Sequence, residues 1–199
     1  MKEFIHVFTG LKRNFGYCDI SKGIKDPATG KIKFDNKDYG WTKRSVTDED
    51  YINHLEGKGS MGIQPCDDDD NAVFGAIDID PRNYSDFKAE KYLKVIAEKE
   101  LPLIPIKSKS GGLHLYVFAR EFLDNMLFIL GLPAKTEIFP KQTTLKSQDG
   151  NKSNGHFINL PYFNKDQRVA LYPSGEEMDF DTFMKCVSLM LFVLGIFQS

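Results

Sequence analysis

The sequence is short of the features that would place it in several common classes at once. It has only three cysteines, Cys18, Cys66 and Cys186, odd in number and far apart. They make neither a zinc-ligand spacing nor a disulfide framework, which excludes a stapled secreted scaffold and fits a reducing cytoplasm. Net charge is only −2, so no global basic field advertises nucleic acid, and any such site has to be a local patch. Met1-Lys2-Glu3 opens no signal-peptide core. The most apolar run, residues 187–197, is too short to span a bilayer, so no membrane role is expected. It reads as a buried helix where the chain stops, the ending expected of a piece cut from a longer parent. Internal repeats and low-complexity tracts are also missing.

What is present is an ordinary globular composition, 41% apolar and 27% charged over 199 residues. That length supports a sizeable core in one domain or two tightly joined lobes. Residues 4–8 read as a strand, and 14–20 and 31–34 as strands around a turn at 26–30. Thr47-Asp-Glu-Asp50 places a cap and an acidic first turn before a short helix over 51–55, closed by Gly57. Residues 61–63 suggest another strand, and the acidic run 67–70 a solvated loop, since four adjacent flexible carboxylates hold no fixed metal geometry.

From residue 72 the pattern becomes more informative. A strand over 72–79 precedes a helix over 85–99, whose apolar face carries Phe87, Leu93, Ile96 and Ala97. Strands over 103–107 and 113–118 follow, then a helix over 121–130 and a strand over 136–139. This is a βαββαβ order, the ferredoxin-like unit of an α+β fold. Its usual sheet places strands one and three in the middle, with strand four beside strand one. Residues 141–154 read as a polar loop, 157–160 and 168–172 as strands, and Asp179 as the cap of the last helix.

Three stretches carry chemistry. Phe74-Gly-Ala-Ile-Asp-Ile-Asp80 ends an apolar strand in two carboxylates on one side, about 7 Å apart along the backbone. Like charges that close repel unless a cation lies between them, and hard oxygen ligands suit Mg²⁺ or Mn²⁺. The competing reading is an Asp-rich turn ended by Pro81. Lys107-Ser-Lys-Ser-Gly-Gly-Leu-His114 offers Ser108, Lys109, Ser110 and the backbone of Gly111 and Gly112 to phosphate oxygens, with His114 in reach. Its rival is a hairpin turn with a half-buried histidine. Glu137-Ile-Phe-Pro-Lys141-Gln142 adds a third carboxylate and a cation, against an edge strand with exposed polar residues. His156 and Asn159 sit on a further strand that is either part of the site or merely polar-faced, whereas His6 and His54 read as structural. On the expected sheet order, Asp78, Asp80, His114 and Glu137 converge on one face.

These stretches, with Phe157-Ile-Asn-Leu-Pro161 and the lead-in Tyr51-Ile-Asn-His-Leu-Glu-Gly57, resemble the archaeo-eukaryotic primase superfamily over roughly residues 47–165. Within it, the primase-polymerases of phages, mobile elements and conflict systems are most similar. The resemblance implies an RRM-like catalytic sheet over 66–175, an additional N-terminal α/β lobe over 1–65 and a C-terminal helix over 176–199. It implies two divalent ions, Mg²⁺ or Mn²⁺, held by Asp78, Asp80 and Glu137. An incoming NTP or dNTP would be bound by Ser108, Lys109, Ser110, Gly111, Gly112, His114, Lys141 and Asn159. The partners implied are a single-stranded or primed DNA template and a helicase on the same or another chain. Two other readings stand beside it. One is a metal-dependent nuclease, which has no need of a triphosphate cradle. The other is a catalytically silent RRM-like binder, which would show exposed aromatics on its central strands, with Tyr116 the candidate.

Overall fold

The computed structural model describes residues 1–18, 24–25, 27, 32–33, 38–84, 86–118, 123–142, 144–145 and 153–195. In chain order these form α1 (Lys2–Val7), β1 (Gly16–Cys18), β2 (Ile24–Lys25), β3 (Ile32–Lys33), β4 (Tyr39–Trp41), α2 (Asp48–Leu55), β5 (Ser60–Ile63) and β6 (Gly75–Ile79). There follow α3 (Ala89–Glu98), β7 (Ile104–Lys107), β8 (Leu113–Val117), α4 (Leu123–Ile129), β9 (Glu137–Phe139), β10 (Ile158–Asn159) and α5 (Phe180–Val193). The fold is mixed α+β, built on two four-stranded antiparallel sheets ordered β7-β8-β6-β9 and β10-β5-β1-β4, with β2 and β3 as a separate pair.

The first of these sheets explains itself residue by residue. Side chains alternate across a strand, so Ile77 and Ile79 of β6 share a face with Leu113, Leu115 and Val117 of β8. That face is buried with Tyr92, Leu93 and Ile96 of α3 and Leu123, Met126 and Leu127 of α4. On the opposite face, Ala76, Tyr116, Ile104 and Phe139 line up across the four strands. They pack into a larger core with Met61, Ile63 and Ile158 of the other sheet, with Phe4 and Val7 of α1, and with Phe183 and Val187 of α5. Each such fully buried aliphatic side chain contributes roughly 1.5–3 kcal/mol. One step along the strands the same face turns polar, and there the candidate site lies.

Three expectations are corrected. Residues 4–8 are not a strand: they fall largely in α1, because Phe4, Val7 and Phe8 recur at helical spacing and all bury into the core. Residues 168–172 form no regular strand. They run along the outer edge of β7, with Lys107 N–H donating to Val169 O (2.9 Å) and Leu171 N–H to Pro105 O (2.9 Å). The last helix is not wholly buried, since Val187 and Leu191 point inward while Leu189, Phe192 and Val193 are exposed.

Other elements form as their local chemistry dictates. The Asp50 carboxylate accepts from the N–H and hydroxyl of Thr47 (2.9 and 2.8 Å), closing the start of α2. Asp179 accepts from Thr182 N–H at 2.9 Å at the start of α5. His54 is fully buried, paired with Pro161 O and Met61 N–H at 2.9 and 3.1 Å, a structural role. The acidic run is a clasp rather than a freely solvated loop. Asp68 pairs with Arg13, and Asp70 accepts from Thr144 Oγ1 (2.8 Å) and Leu145 N–H (2.7 Å). Most of the predicted turn at 26–30, the first residues of the helix over 121–130, and residues 146–152 of the polar loop lie outside the described residues. No described helix is long and apolar enough to cross a membrane.

Candidate active site

The polar row is His114, Asp78 and Glu137, one residue each from β8, β6 and β9 in direct register, with the buried Ile106 of β7 opposite His114. Asp78 is central because β6 lies between β8 and β9. Directly opposed residues in a sheet bring their side chains to the same face, so Asp78 shares its surroundings with His114 on one side and Glu137 on the other. Asp80 follows β6, starts a short 3₁₀ turn over Pro81–Asn83 and accepts from Arg82 N–H at 2.9 Å.

The electrostatics follow from this crowding. The Asp78 carboxyl is pushed up to about 6, first by burial and then by the neighbouring charges of Glu137 and Asp80. Lys141 and Arg82 oppose that rise. His114 is pushed down to about 4, first by burial and then by the positive charge of Arg168. It is therefore a neutral imidazole at neutral pH. Its Nε2 stands 3.6 Å from Asp78 Oδ1, too far for a hydrogen bond, and its Nδ1 is buried with no hydrogen-bond partner among the described residues.

Each outer carboxylate is turned to a basic neighbour. Arg82 Nε reaches both Asp80 oxygens (2.9 and 2.8 Å), and its terminal nitrogen also contacts Oδ2. Lys141 Nζ lies 2.9 Å from Glu137 Oε2 and 5.1 Å from the centre of the Phe139 ring. Among the described residues, no three His, Cys, Asp or Glu side chains stand as a group that would hold an ion where they are. The donor set nonetheless suits a hard divalent cation. It consists of carboxylate oxygens, and the raised Asp78 marks excess negative charge that a cation relieves. Binding one requires Asp80 and Glu137 to turn from Arg82 and Lys141.

The Ser-Gly-Gly turn sits beside this row, but its glycines work differently from expectation. Gly111 N–H donates to Ser108 O (3.1 Å) and Gly112 N–H to Ser108 Oγ (3.0 Å), so both amides are spent inside the turn. Ser108 Oγ also contacts Ser110 Oγ at 2.9 Å. Gly111 has φ +84°, where a side chain is strained. Gly112 is needed for a different reason: a Cβ there would lie 2.2 Å from Ile79 O and 2.7 Å from Pro81 Cδ. The missing side chain lets the turn press against the end of β6, beside Asp80. Ser108 is buried, whereas Lys109 and Ser110 are exposed at the rim.

Asn159 comes from the other sheet. It pairs with Gly62 on β5, and its carbonyl accepts from Tyr116 hydroxyl at 2.8 Å. That bond and complete burial remove Tyr116 as a surface stacking residue, and burial drives its phenol far above the usual range. Two basic residues had no signal in the sequence. Arg82 follows the turn-forming Pro81, with nothing in the residues around it to mark a site role. Arg168 was read only as the start of a strand. It is buried, has φ +54°, and donates to Leu160 O (2.8 Å) and Ser60 Oγ (3.1 Å), with its charge felt at His114. Neither spacing nor periodicity shows such a position, because its side-chain partner Ser60 lies 108 residues earlier and the histidine its charge acts on belongs to another strand.

Residues 9–126 match the family model of the archaeo-eukaryotic primase domain of TOTE conflict systems, a span that includes Asp78, Asp80 and the whole of the Ser108–His114 stretch but ends before Glu137. No curated protein matches the chain. With more than half of its length matched, the chain belongs to the archaeo-eukaryotic primase family of conflict systems, a family of primase-like nucleotidyltransferases.

Proposed function

We propose that this chain is a primase-polymerase that carries out template-directed nucleotidyl transfer on an RRM-like sheet, with an N-terminal α/β lobe beside it. The observation that carries the reading is the row His114–Asp78–Glu137, with Asp80 two residues beyond Asp78 at the exit of the same strand. Asp78, Asp80 and Glu137 hold divalent cations, Mg²⁺ or Mn²⁺. When bound, such ions activate the 3′-hydroxyl of the growing strand and offset the charge of the triphosphate and its pyrophosphate leaving group. Arg82 and Lys141, released from their carboxylates, supply cationic donors to phosphate oxygens. Ser108, Ser110 and Lys109 supply hydroxyl and ammonium donors along the turn, which Gly112 holds against β6. His114, neutral and nine-tenths buried, donates a hydrogen bond to a phosphate oxygen and binds no ion. The template is single-stranded or primed DNA.

The silent-binder reading is disfavoured by the burial of Tyr116. The nuclease reading is disfavoured by a serine- and lysine-bearing turn packed against the carboxylate strand. The test is incubation with a primed template, ribo- or deoxynucleotides, and Mg²⁺ or Mn²⁺, resolved on a gel. Primer extension that is lost in Asp80→Ala supports the proposal. Shortening of the primer, or no product with either ion and either nucleotide class, refutes it.

A further inference from the structure

The sheet of β10, β5, β1 and β4 has one face in the large core and one turned away from it. Met61, Ile63 and Ile158 occupy the core face. Strand alternation and register place Gly16, Gly62, Trp41, Cys18, Tyr39 and Asn159 on the other. Two glycines there make room for one aromatic ring. A Cβ at Gly16 would lie 2.4 Å from the Phe157 ring, and a Cβ at Gly62 would also lie 2.4 Å from it. Phe157 therefore lies flat across β1 and β5. Trp41 stands edge-on against it, with ring centres 5.0 Å apart at 89°. Tyr39 is 45% exposed beside them. A cavity of about 180 Å³ opens here, lined by Tyr17, Cys18, Tyr39, Phe157, Asn159 and Lys109.

Lys109 is the connection. It belongs to the Ser-Gly-Gly turn that presses on the end of β6, so the cavity and that turn share a lining residue. Its volume is below the roughly 300–1,000 Å³ of pockets that enclose a whole drug-sized ligand. It takes one end of a nucleotide and has no room for a run of stacked bases. We propose that this aromatic cavity, on the lobe opposite the carboxylates, is the seat of the nucleobase of the incoming nucleoside triphosphate, with Phe157 and Tyr39 as its stacking surface. The inference rests on the nucleotidyltransferase reading above and adds where the nucleoside lies. Aromatic faces accept every base, because each base has a π-face, so the site binds all the nucleotides and leaves the choice among them to the template.

The experiment titrates the full chain, in Mg²⁺, with a deoxynucleoside triphosphate, with inorganic tripolyphosphate and with a single-stranded oligodeoxynucleotide. Wild type is compared with Tyr39→Ala, Phe157→Leu and the ring-preserving Phe157→Tyr, each checked for unchanged circular dichroism. Trp41 is the single tryptophan, so its fluorescence gives a second readout beside the calorimeter. The expected result is that wild type prefers the nucleoside triphosphate to tripolyphosphate. Tyr39→Ala and Phe157→Leu should each weaken the triphosphate by roughly five- to a hundredfold, while tripolyphosphate and oligonucleotide affinities hold and Phe157→Tyr stays near wild type. Trp41 emission should change with the triphosphate and not with tripolyphosphate. Equal wild-type affinity for the triphosphate and tripolyphosphate overturns the inference, as does an unchanged triphosphate affinity in both variants. A loss confined to the oligonucleotide assigns the surface to the template and also overturns it. A wild type that extends primers while both variants bind triphosphate normally refutes the base seat alone. A wild type that shows the base-dependent difference but extends no primer refutes the transfer reaction alone.

Discussion

Replacing Asp78 by asparagine tests the electrostatics of the row without changing its shape. Burial and the charges of Glu137 and Asp80 hold this carboxyl at about 6, against an ordinary 3.8. A raised carboxyl means that the unfolded chain gives up its proton more readily than the folded one. The stability it contributes is therefore complete below pH 3.8 and is lost as pH climbs through 6. Above pH 7 the ionised group costs the metal-free protein up to about 3 kcal/mol. Asparagine carries no charge, and recovering about half of that cost raises Tm by about 3–6 °C in a chain of this size. The assay is thermal unfolding of both proteins in chelator at pH 8, 6.5 and 5, repeated at pH 8 with Mn²⁺. The variant should melt higher at pH 8, the gap should shrink toward pH 5, and Mn²⁺ should raise wild type more than the variant. The same variant should extend no primer. A variant that melts at or below wild type at pH 8, or a gap that ignores pH, refutes the account of a strained carboxylate.

Glu137→Gln should weaken metal binding by calorimetry, and an unchanged isotherm would remove β9 from the site. Lys141→Ala should raise the apparent KM for nucleotide with little change in kcat, the signature of lost uniform binding; a fall in kcat alone would contradict that role. His114→Ala, removing a hydrogen bond from a neutral imidazole, should weaken triphosphate binding by about two- to tenfold and spare single-stranded DNA; equal triphosphate affinity would return His114 to a structural role. Gly112→Ala should cost about 1–3 kcal/mol of stability and impair nucleotide binding, because the β6 carbonyl it meets at 2.2 Å is backbone and cannot swing aside. Gly111→Ala, open to space but at φ +84°, should cost about 1–2 kcal/mol of backbone strain and leave the turn seated on β6. A Gly112→Ala protein with wild-type melting would refute the close approach.

Much of the sheet that carries the candidate site was legible in the sequence, because its signals are local. The alternation of Ala76, Ile77, Asp78 and Ile79 is strand chemistry whatever surrounds it, and the apolar period of α3 lies in ten consecutive residues. The resemblance to archaeo-eukaryotic primases rested on contiguous motifs for the same reason. The first helix is not legible in the sequence, because an apolar stretch as short as 4–8 satisfies either period and only burial of Phe4, Val7 and Phe8 together decides between them. The roles of the two turn glycines were not legible. One-dimensional pattern allows Gly112 to lend its amide to a ligand; the packed structure spends that amide on Ser108 and uses the absent side chain to approach Ile79. Only tertiary structure brought the charge of Arg168 to bear on His114, set His114 and Glu137 on either side of Asp78, and laid Phe157 over Gly16 and Gly62. The sequence by itself determined which residues alternate, cap and carry charge, since these are properties of neighbours along the chain. Which charges lie together, how far burial shifts them, and which ring covers which glycine depend on contacts between distant segments, and folding alone makes those.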